Sequence, residues 1–86
     1  MTFKLVFSDE ALSRLSKIEK IDAKRIMDKL EDACAGQEHY FERLSGREDW
    51  KLRVGDYRVL TRIMFKEETV FVVTLDHRKR VYKRLK

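Results

Sequence analysis

Four basic side chains flank a short turn sequence and could bind phosphate together. If Gly55-Asp56 forms a two-residue hairpin turn, Arg53 lies directly opposite Arg58 on the neighbouring strand. The alternation of side chains along the strands then collects four cations on one face of the sheet: Lys51, Arg53, Arg58 and Arg62. Like charges opposite each other destabilise a hairpin unless something anionic lies between them. We therefore expect this face to bind an anion such as a phosphate group.

The positive charge of the chain is concentrated in its C-terminal half. Residues 47–86 carry twelve Lys/Arg against six Asp/Glu, whereas the preceding 46 residues carry eight against nine. The last ten residues, from His77 to Lys86, include no acidic residue. This asymmetry favours a polyanionic or acidic partner. The alternative is a solvated sheet face that keeps the protein soluble, which is less consistent with cations that have no acidic partners.

The residues after the last predicted strand extend the basic surface. Arg78, Lys79 and Arg80 follow this strand directly, and we expect them to bind nucleic acid. His77 is either structural or a proton-transfer group beside these cations. Tyr82 either packs in the core or stacks on a nucleic-acid base.

Length and composition limit the class of protein. The 86 residues form one small domain, 1–86, with 43% hydrophobic and 41% charged residues. Cys34 is the only cysteine, so an internal disulfide and a multi-cysteine zinc site are excluded, and we interpret it as a small apolar residue on a helix. We expect no metal and no cofactor. The absence of a long apolar run predicts no membrane association and a cytoplasmic location.

The N-terminal part predicts a strand and two helices. Residues 2–7 place Phe3, Leu5 and Phe7 on one side and the remaining residues, Thr2, Lys4 and Val6, on the other, as in a half-buried strand. Ser8 or Asp9 then supplies an N-cap, and Asp22 is predicted to cap a second helix that ends near Gly36. The two helices are expected to form a helical hairpin. The predicted buried stripe of the second helix is Ile26, Met27, Leu30, Ala33 and Cys34.

The C-terminal part predicts an antiparallel meander. Residues 50–54, 57–65 and 70–75 are rich in β-branched and aromatic residues, whereas residues 37–49 give no decisive signal. The chain is therefore α+β: an N-terminal strand, a helical hairpin, and an antiparallel meander with a short basic C-terminal segment. The face that the helices can cover holds Trp50, Leu52, Val54, Tyr57, Val59, Ile63 and Phe65. The far end of the cationic face receives Leu60, Met64, Phe71, Val73 and Leu75, which a partner or the C-terminal segment should cover.

Several sequence blocks resemble a known family. They are residues 41–46 (Phe-Glu-Arg-Leu-Ser-Gly), residues 50–60 with Leu-Arg-Val-Gly-Asp-Tyr-Arg at their centre, residues 73–78, and the Val-Tyr pair at 81–82. Together they are similar to the RelE/ParE toxin superfamily, and most similar to RelE, over essentially the whole chain. The order of strand, two helices and meander agrees with that fold.

The resemblance implies a ribosome-dependent endoribonuclease that cleaves mRNA in the ribosomal A site and causes growth arrest. In such toxins the 2′-hydroxyl of the RNA attacks the adjacent phosphate without a metal. Lys51 would act as base or charge stabiliser, and Arg53 would bind phosphate. Arg58 would clamp the scissile phosphate, and Arg78 would stabilise either the leaving group or the pentavalent centre. Tyr82 would stack on a base.

Two departures from the family pattern leave the proton-transfer group open. Asp49 occupies the place of a second lysine found in some members, and the spacing from Arg78 to Tyr82 is shorter than in some relatives. Either Lys51 or His77 could therefore transfer the proton. Two other functions stay open: a ParE-type inhibitor of DNA gyrase, and a non-catalytic nucleic-acid-binding module. The implied partners are the ribosome, mRNA and a RelB-like antitoxin in a hetero-oligomer.

Overall fold

The computed structural model describes residues 2–44 and 48–77. Its elements are strand β1 (Lys4–Phe7), helices α1 (Asp9–Lys17) and α2 (Lys20–Cys34), a 3₁₀ turn (Glu38–Tyr40), and strands β2 (Phe41–Arg43), β3 (Trp50–Val54), β4 (Tyr57–Met64) and β5 (Thr69–His77). The predicted site residues Arg78, Lys79, Arg80 and Tyr82 lie outside the described residues, as does the rest of the predicted basic C-terminal segment.

The five strands form one sheet in the order β1-β5-β4-β3-β2. Strand β1 pairs parallel to β5, and the other neighbours are antiparallel. The predicted α+β architecture is confirmed. The segment without a decisive signal supplies an additional edge strand, because Phe41 pairs with Leu52 and Arg43 with Trp50.

The hairpin between β3 and β4 has the predicted register. Val54 pairs with Tyr57, and Arg53 pairs with Arg58. Gly55 has a φ of 58°, a left-handed value that glycine adopts without a steric penalty. A positive φ at the first turn residue only is the type II′ pattern, whose twist suits a two-residue hairpin.

The two helices begin at different kinds of residue. Ser8 caps α1 as predicted, because its Oγ accepts a hydrogen bond from the Ala11 N–H at 3.0 Å. The prediction of Asp22 as the cap of α2 is wrong, since this helix begins at Lys20 after Glu19. Asp22 instead lies in the first turn, where its negative charge suits the helix dipole.

The core lies between the helices and one face of the sheet. Helix α1 packs along β5, and α2 packs against β1 and β3. Of the predicted stripe on α2 only Met27 is half-buried, and the other four residues are buried. Burial raises the pKa of the Cys34 thiol, so this group stays protonated at neutral pH. No helix within the described ranges is both long and apolar enough to cross a membrane.

A β-bulge at Val73 changes which side chains of β5 face the core. Leu60 pairs with Thr74 and Thr61 with Val72, so Val73 has no partner on β4. Beyond the bulge every side chain of β5 moves to the opposite face relative to a regular strand. The expectation that Leu75 lies on the cationic face is therefore wrong, because it is fully buried in the core.

Ser8 fixes this bulge from the other end of the sequence. Its backbone N–H donates to the Val72 carbonyl at 3.0 Å, and its Oγ donates to the Val73 carbonyl at 2.6 Å. The same Oγ also caps α1. One side chain therefore satisfies a helix N-terminus and the carbonyl of the unpaired bulge residue.

We predict that Ser8→Ala lowers the free energy of unfolding by about 2 kcal/mol, near the upper end for loss of an N-cap, because the bulge carbonyl loses its partner as well. Chemical denaturation measures this change. The matched control is Ser13→Ala at an exposed position of the same helix, for which we expect a change within about 0.5 kcal/mol. Equal effects of the two substitutions would contradict the role given to Ser8.

Candidate anion-binding site

The face of the sheet opposite the helices carries the predicted cations, and we call it the open face. The register places Arg53 of β3, Arg58 of β4 and Asp76 of β5 in one row across it. The adjacent row contains Glu42, Lys51, Leu60 and Thr74. Lys51, Arg53 and Arg58 are thus brought together, as predicted.

Arg58 is the most enclosed of these cations. Only 8% of the residue is exposed, and one terminal nitrogen donates to the carbonyls of Gly55 at 3.2 Å and Tyr57 at 3.0 Å. These two bonds hold the guanidinium against the hairpin turn. A fixed, desolvated guanidinium interacts more strongly with a phosphate than a mobile surface cation does.

Two of the other arginines have acidic partners, contrary to the expectation that the cations lack them. Arg53 Nε lies 3.3 Å from Glu42 Oε2, and one terminal nitrogen of Arg62 lies 3.2 Å from Asp49 Oδ1. The side chains of Arg53 and Glu42 are both about half exposed, so this ion pair is weak and can exchange for a phosphate. The Asp49 side chain is only 10% exposed, so water screens its ion pair with Arg62 less. In residues 2–44 and 48–77 no ion pair involves Lys51.

Asp76 connects the arginine row to α1. Its Oδ2 accepts a 2.9 Å hydrogen bond from a terminal nitrogen of Arg14, and its Oδ1 accepts one of 2.8 Å from the His77 backbone N–H. The Asp76 side chain is only 10% exposed. This ion pair ties the helix to the end of β5, beside Arg58.

His77 does not lie on the same face as Arg53 and Arg58. Because of the bulge it pairs with Tyr57, and the two rings make an edge contact with centroids 6.1 Å apart. It shares a cavity of about 280 Å³ with Asp22 and Arg25 of α2. The expectation that His77 belongs to the cationic face is therefore wrong.

The apolar end of the open face is smaller than predicted. Leu60 is 5% exposed and Leu75 is in the core, so neither offers a docking surface. The exposed apolar side chains there are Val6 and Met64, at 42% and 36%. Phe71 is half-buried between them, opposite Arg62 on β4.

Sequence reasoning missed the polar residues that the bulge brings to the site, Thr74 and Asp76. If β5 continued regularly from Val70 and Val72, Thr74 and Asp76 would both face the core. Burying an aspartate in the core is costly unless it is paired. Asp76 at an expected core position is therefore a signal that the alternation of side chains along the strand is interrupted. Arg14, Glu42 and Asp49 gave no such signal, because their contacts depend on strands and helices that are distant in sequence.

The site can neutralise an anion and stabilise additional negative charge on it. The described residues contain no group of three or more His, Cys, Asp or Glu side chains that could hold a metal ion. Preorganised cations favour a transition state that carries more charge than the ground state. The arrangement therefore suits phosphate binding and phosphoryl-transfer chemistry.

Comparison with family models gives a match over most of the chain. A model described as the ParE toxin of type II toxin–antitoxin system, parDE, matches residues 5–82. No curated protein sequence matches the chain significantly.

Solved structures show the same fold. The RelBE2 toxin–antitoxin complex from Mycobacterium tuberculosis gives a TM-score of 0.79 at 22% identity, covering 91% of this chain and 100% of that chain. A mutant of the Escherichia coli toxin RelE in the free state gives 0.78 at 23% identity, covering 96% and 93%. The archaeal RelE–RelB complex from Pyrococcus horikoshii gives 0.72 at 24% identity, covering 93% and 99%.

We predict that Arg14 and Asp76 contribute a coupling free energy of about 1–2 kcal/mol to folding, between the values of exposed and buried ion pairs. A double-mutant cycle of Arg14→Ala and Asp76→Ala, followed by chemical denaturation, measures it. The same cycle on Lys24 and Asp28, whose side chains are 75% and 58% exposed, is the control and should give about 0.3–0.5 kcal/mol. A coupling at Arg14 and Asp76 no larger than in this control would contradict the structural role of the pair.

Proposed function

Because the chain belongs to the ParE toxin family of type II toxin–antitoxin systems, we propose that it is a toxin that cleaves mRNA in the ribosomal A site. In this proposal the protein is a metal-independent endoribonuclease that acts on translated messages, inhibits translation and causes growth arrest. The three solved structures named above share its fold, and each is a RelE toxin or a complex of such a toxin with its antitoxin.

The observation that carries the proposal is the convergence of three cations on one face. Lys51, Arg53 and Arg58 lie in neighbouring rows of β3 and β4, and Arg58 is held against the turn by two carbonyls. Only Arg53 of the three has a carboxylate within ion-pair distance in the described ranges, and this pair is half exposed. A phosphate can therefore bind between Arg53 and Arg58 by replacing Glu42.

The proposed reaction needs charge stabilisation and in-line geometry. The 2′-oxygen of the ribose attacks the adjacent phosphorus and loses its proton, and the 5′-oxygen of the next nucleotide leaves and gains one. The products are a 2′,3′-cyclic phosphate and a 5′-hydroxyl. Arg58 and Arg53 stabilise the extra negative charge of the pentavalent transition state, and positioning of the 2′-oxygen supplies much of the remaining acceleration.

The proton-transfer role is assigned to Lys51. Its side chain is on the open face, whereas His77 lies beside Tyr57 on the other face. By resemblance, Arg78 would stabilise the leaving group and Tyr82 would stack on a base. Arg62, Lys79 and Arg80 would add phosphate contacts along the RNA.

A second candidate function is inhibition of DNA gyrase. The family model that matches the chain is described as a ParE toxin, and this favours the ParE-type activity. A gyrase inhibitor needs a binding surface and no phosphoryl-transfer site. Expression would then produce DNA breaks while messenger RNA stays intact.

An antitoxin is the proposed protein partner. The solved relatives from M. tuberculosis and P. horikoshii are toxin–antitoxin complexes. On this chain the exposed side chains of Val6 and Met64 adjoin the cations of the open face. An acidic amphipathic segment would cover the apolar end and neutralise the arginines at the same time.

We predict that Arg58→Ala lowers the rate of ribosome-dependent cleavage by at least about 100-fold, because the transition state loses a preorganised positive charge. Sequencing of RNA 5′ ends after brief induction, with detection of the 2′,3′-cyclic phosphate, measures the cleavage. Lys24→Ala on the exposed surface of α2 is the control and should cleave like the wild type.

Three outcomes of this experiment separate the candidate functions. Cleavage at fixed codon positions that depends on Arg58 supports the nuclease. DNA breaks without cleaved messages support gyrase inhibition. RNA affinity that falls steeply with salt, without a cyclic-phosphate product, supports a non-catalytic binding module.

We also predict that Val6→Glu weakens antitoxin binding by about tenfold or more, because an apolar side chain that the antitoxin would bury is replaced by a charged one. The control is Leu12→Glu on α1, where a side chain of similar exposure, 51%, lies away from the open face. Titration calorimetry measures both affinities. A larger loss of affinity in Leu12→Glu than in Val6→Glu would show that the antitoxin docks on the helices instead.

A further inference from the structure

Two buried polar atoms on the open face have no hydrogen-bond partner within residues 2–44 and 48–77. They are Arg58 Nε and Thr74 Oγ1, and the two residues are 8% and 5% exposed. Arg14 Nε also lacks a hydrogen bond, but it lies 3.6 Å from Glu10 Oε2 as an ion pair. Buried donors without acceptors are unfavourable, and their persistence at one place points to a ligand that supplies the acceptors.

Thr74 and Arg58 are diagonal neighbours on the adjacent strands β5 and β4. Arg58 pairs with Asp76, and Thr74 lies two residues before Asp76 on the same face. Such diagonal neighbours have Cα atoms about 7–8 Å apart, within reach of a long side chain and a small ligand between them. The hydroxyl and the guanidinium therefore border the same part of the open face.

The carboxylate opposite Arg58 does not occupy its Nε. Oδ2 of Asp76 accepts from Arg14, and Oδ1 accepts from the His77 N–H. Each oxygen of Asp76 therefore accepts a hydrogen bond, one from α1 and one from the backbone of its own strand. The N–H of Arg58 Nε therefore remains available for an acceptor that a ligand supplies.

We propose that Thr74 is an additional RNA-binding residue, whose hydroxyl donates to the backbone phosphate that Arg58 binds. This inference rests on the proposed function for the identity of the ligand. A phosphate has several acceptor oxygens, so one oxygen can accept from Arg58 Nε while another accepts from Thr74 Oγ1. Lys51 lies in the same row as Thr74, two strands away, and adds long-range attraction.

The test compares two Thr→Val substitutions on opposite faces of the sheet. Thr74→Val removes a hydroxyl that has no partner in the described part of the chain. The control, Thr61→Val, removes a buried hydroxyl that donates to the Trp50 carbonyl at 3.1 Å on the helix side. Each full-length variant is titrated with a single-stranded oligoribonucleotide of about ten nucleotides. A second titration uses inorganic phosphate at constant ionic strength, and chemical denaturation measures stability.

We expect Thr74→Val to bind the oligoribonucleotide about 10- to 100-fold more weakly, the range for one hydrogen bond to a charged group. The variant should be as resistant to denaturant as the wild type or more resistant, since an unsatisfied hydroxyl is replaced by a methyl group. Thr74→Ser should bind within about threefold of the wild type, because it keeps the hydroxyl. Thr61→Val should show the reverse pattern, with lower stability and unchanged affinity.

Wild-type affinity in Thr74→Val, or a loss of stability like that of Thr61→Val, would overturn the inference. Binding of inorganic phosphate that depends on Thr74, without binding of the oligoribonucleotide, would overturn the RNA assignment. If oligoribonucleotide binding depends on Thr74 but no message is cleaved on ribosomes, the inference stands and the nuclease function fails. If Arg58-dependent cleavage occurs and Thr74→Val binds and cleaves like the wild type, only the inference fails.

Discussion

The open face depends on one extra residue in β5. Without the bulge at Val73, the register set by Met64 and Thr69 would continue, and Arg58 would face Leu75. The bulge moves Leu75 into the core and brings Asp76 opposite Arg58. A shift of one residue therefore gives the sheet an apolar side against the helices and a polar side beside the arginines.

The bulge also explains how charge is distributed around the site. Asp76 faces the arginine row, but its two oxygens accept hydrogen bonds from α1 and from its own strand. The pair of Arg53 with Glu42 is about half exposed, so water screens its attraction, whereas the Asp49 side chain that pairs with Arg62 is only 10% exposed. These carboxylates hold arginine side chains in place and limit the self-repulsion of a chain with a net charge of +5.

The sequence predicts the parts of the site that depend on local interactions. The Gly55-Asp56 turn sets the pairing of Arg53 with Arg58, and two-residue turns leave little choice of register. The bulge could not be predicted in this way, since Ser8 holds it from 65 residues away. The partners of Arg53 and Arg62 depend on β2 and on the segment before β3, where the sequence gives weak signals. Polar residues at expected core positions, Thr74 and Asp76, were the one available indication of the irregular strand.

The parallel pairing of β1 with β5 has a consequence for the order of folding. Strand β1 finds its neighbour only in β5, the last strand within the described residues, so the edge of β1 stays unpaired until β5 has been synthesised. Contacts between such distant segments form slowly, because closing the intervening loop costs entropy before any contact is gained. Ser8 can fix the bulge only in this final step, and a nascent chain therefore emerges from translation without a finished open face. In the interval between synthesis and closure, the unpaired edge of β1 is open to pairing with another chain.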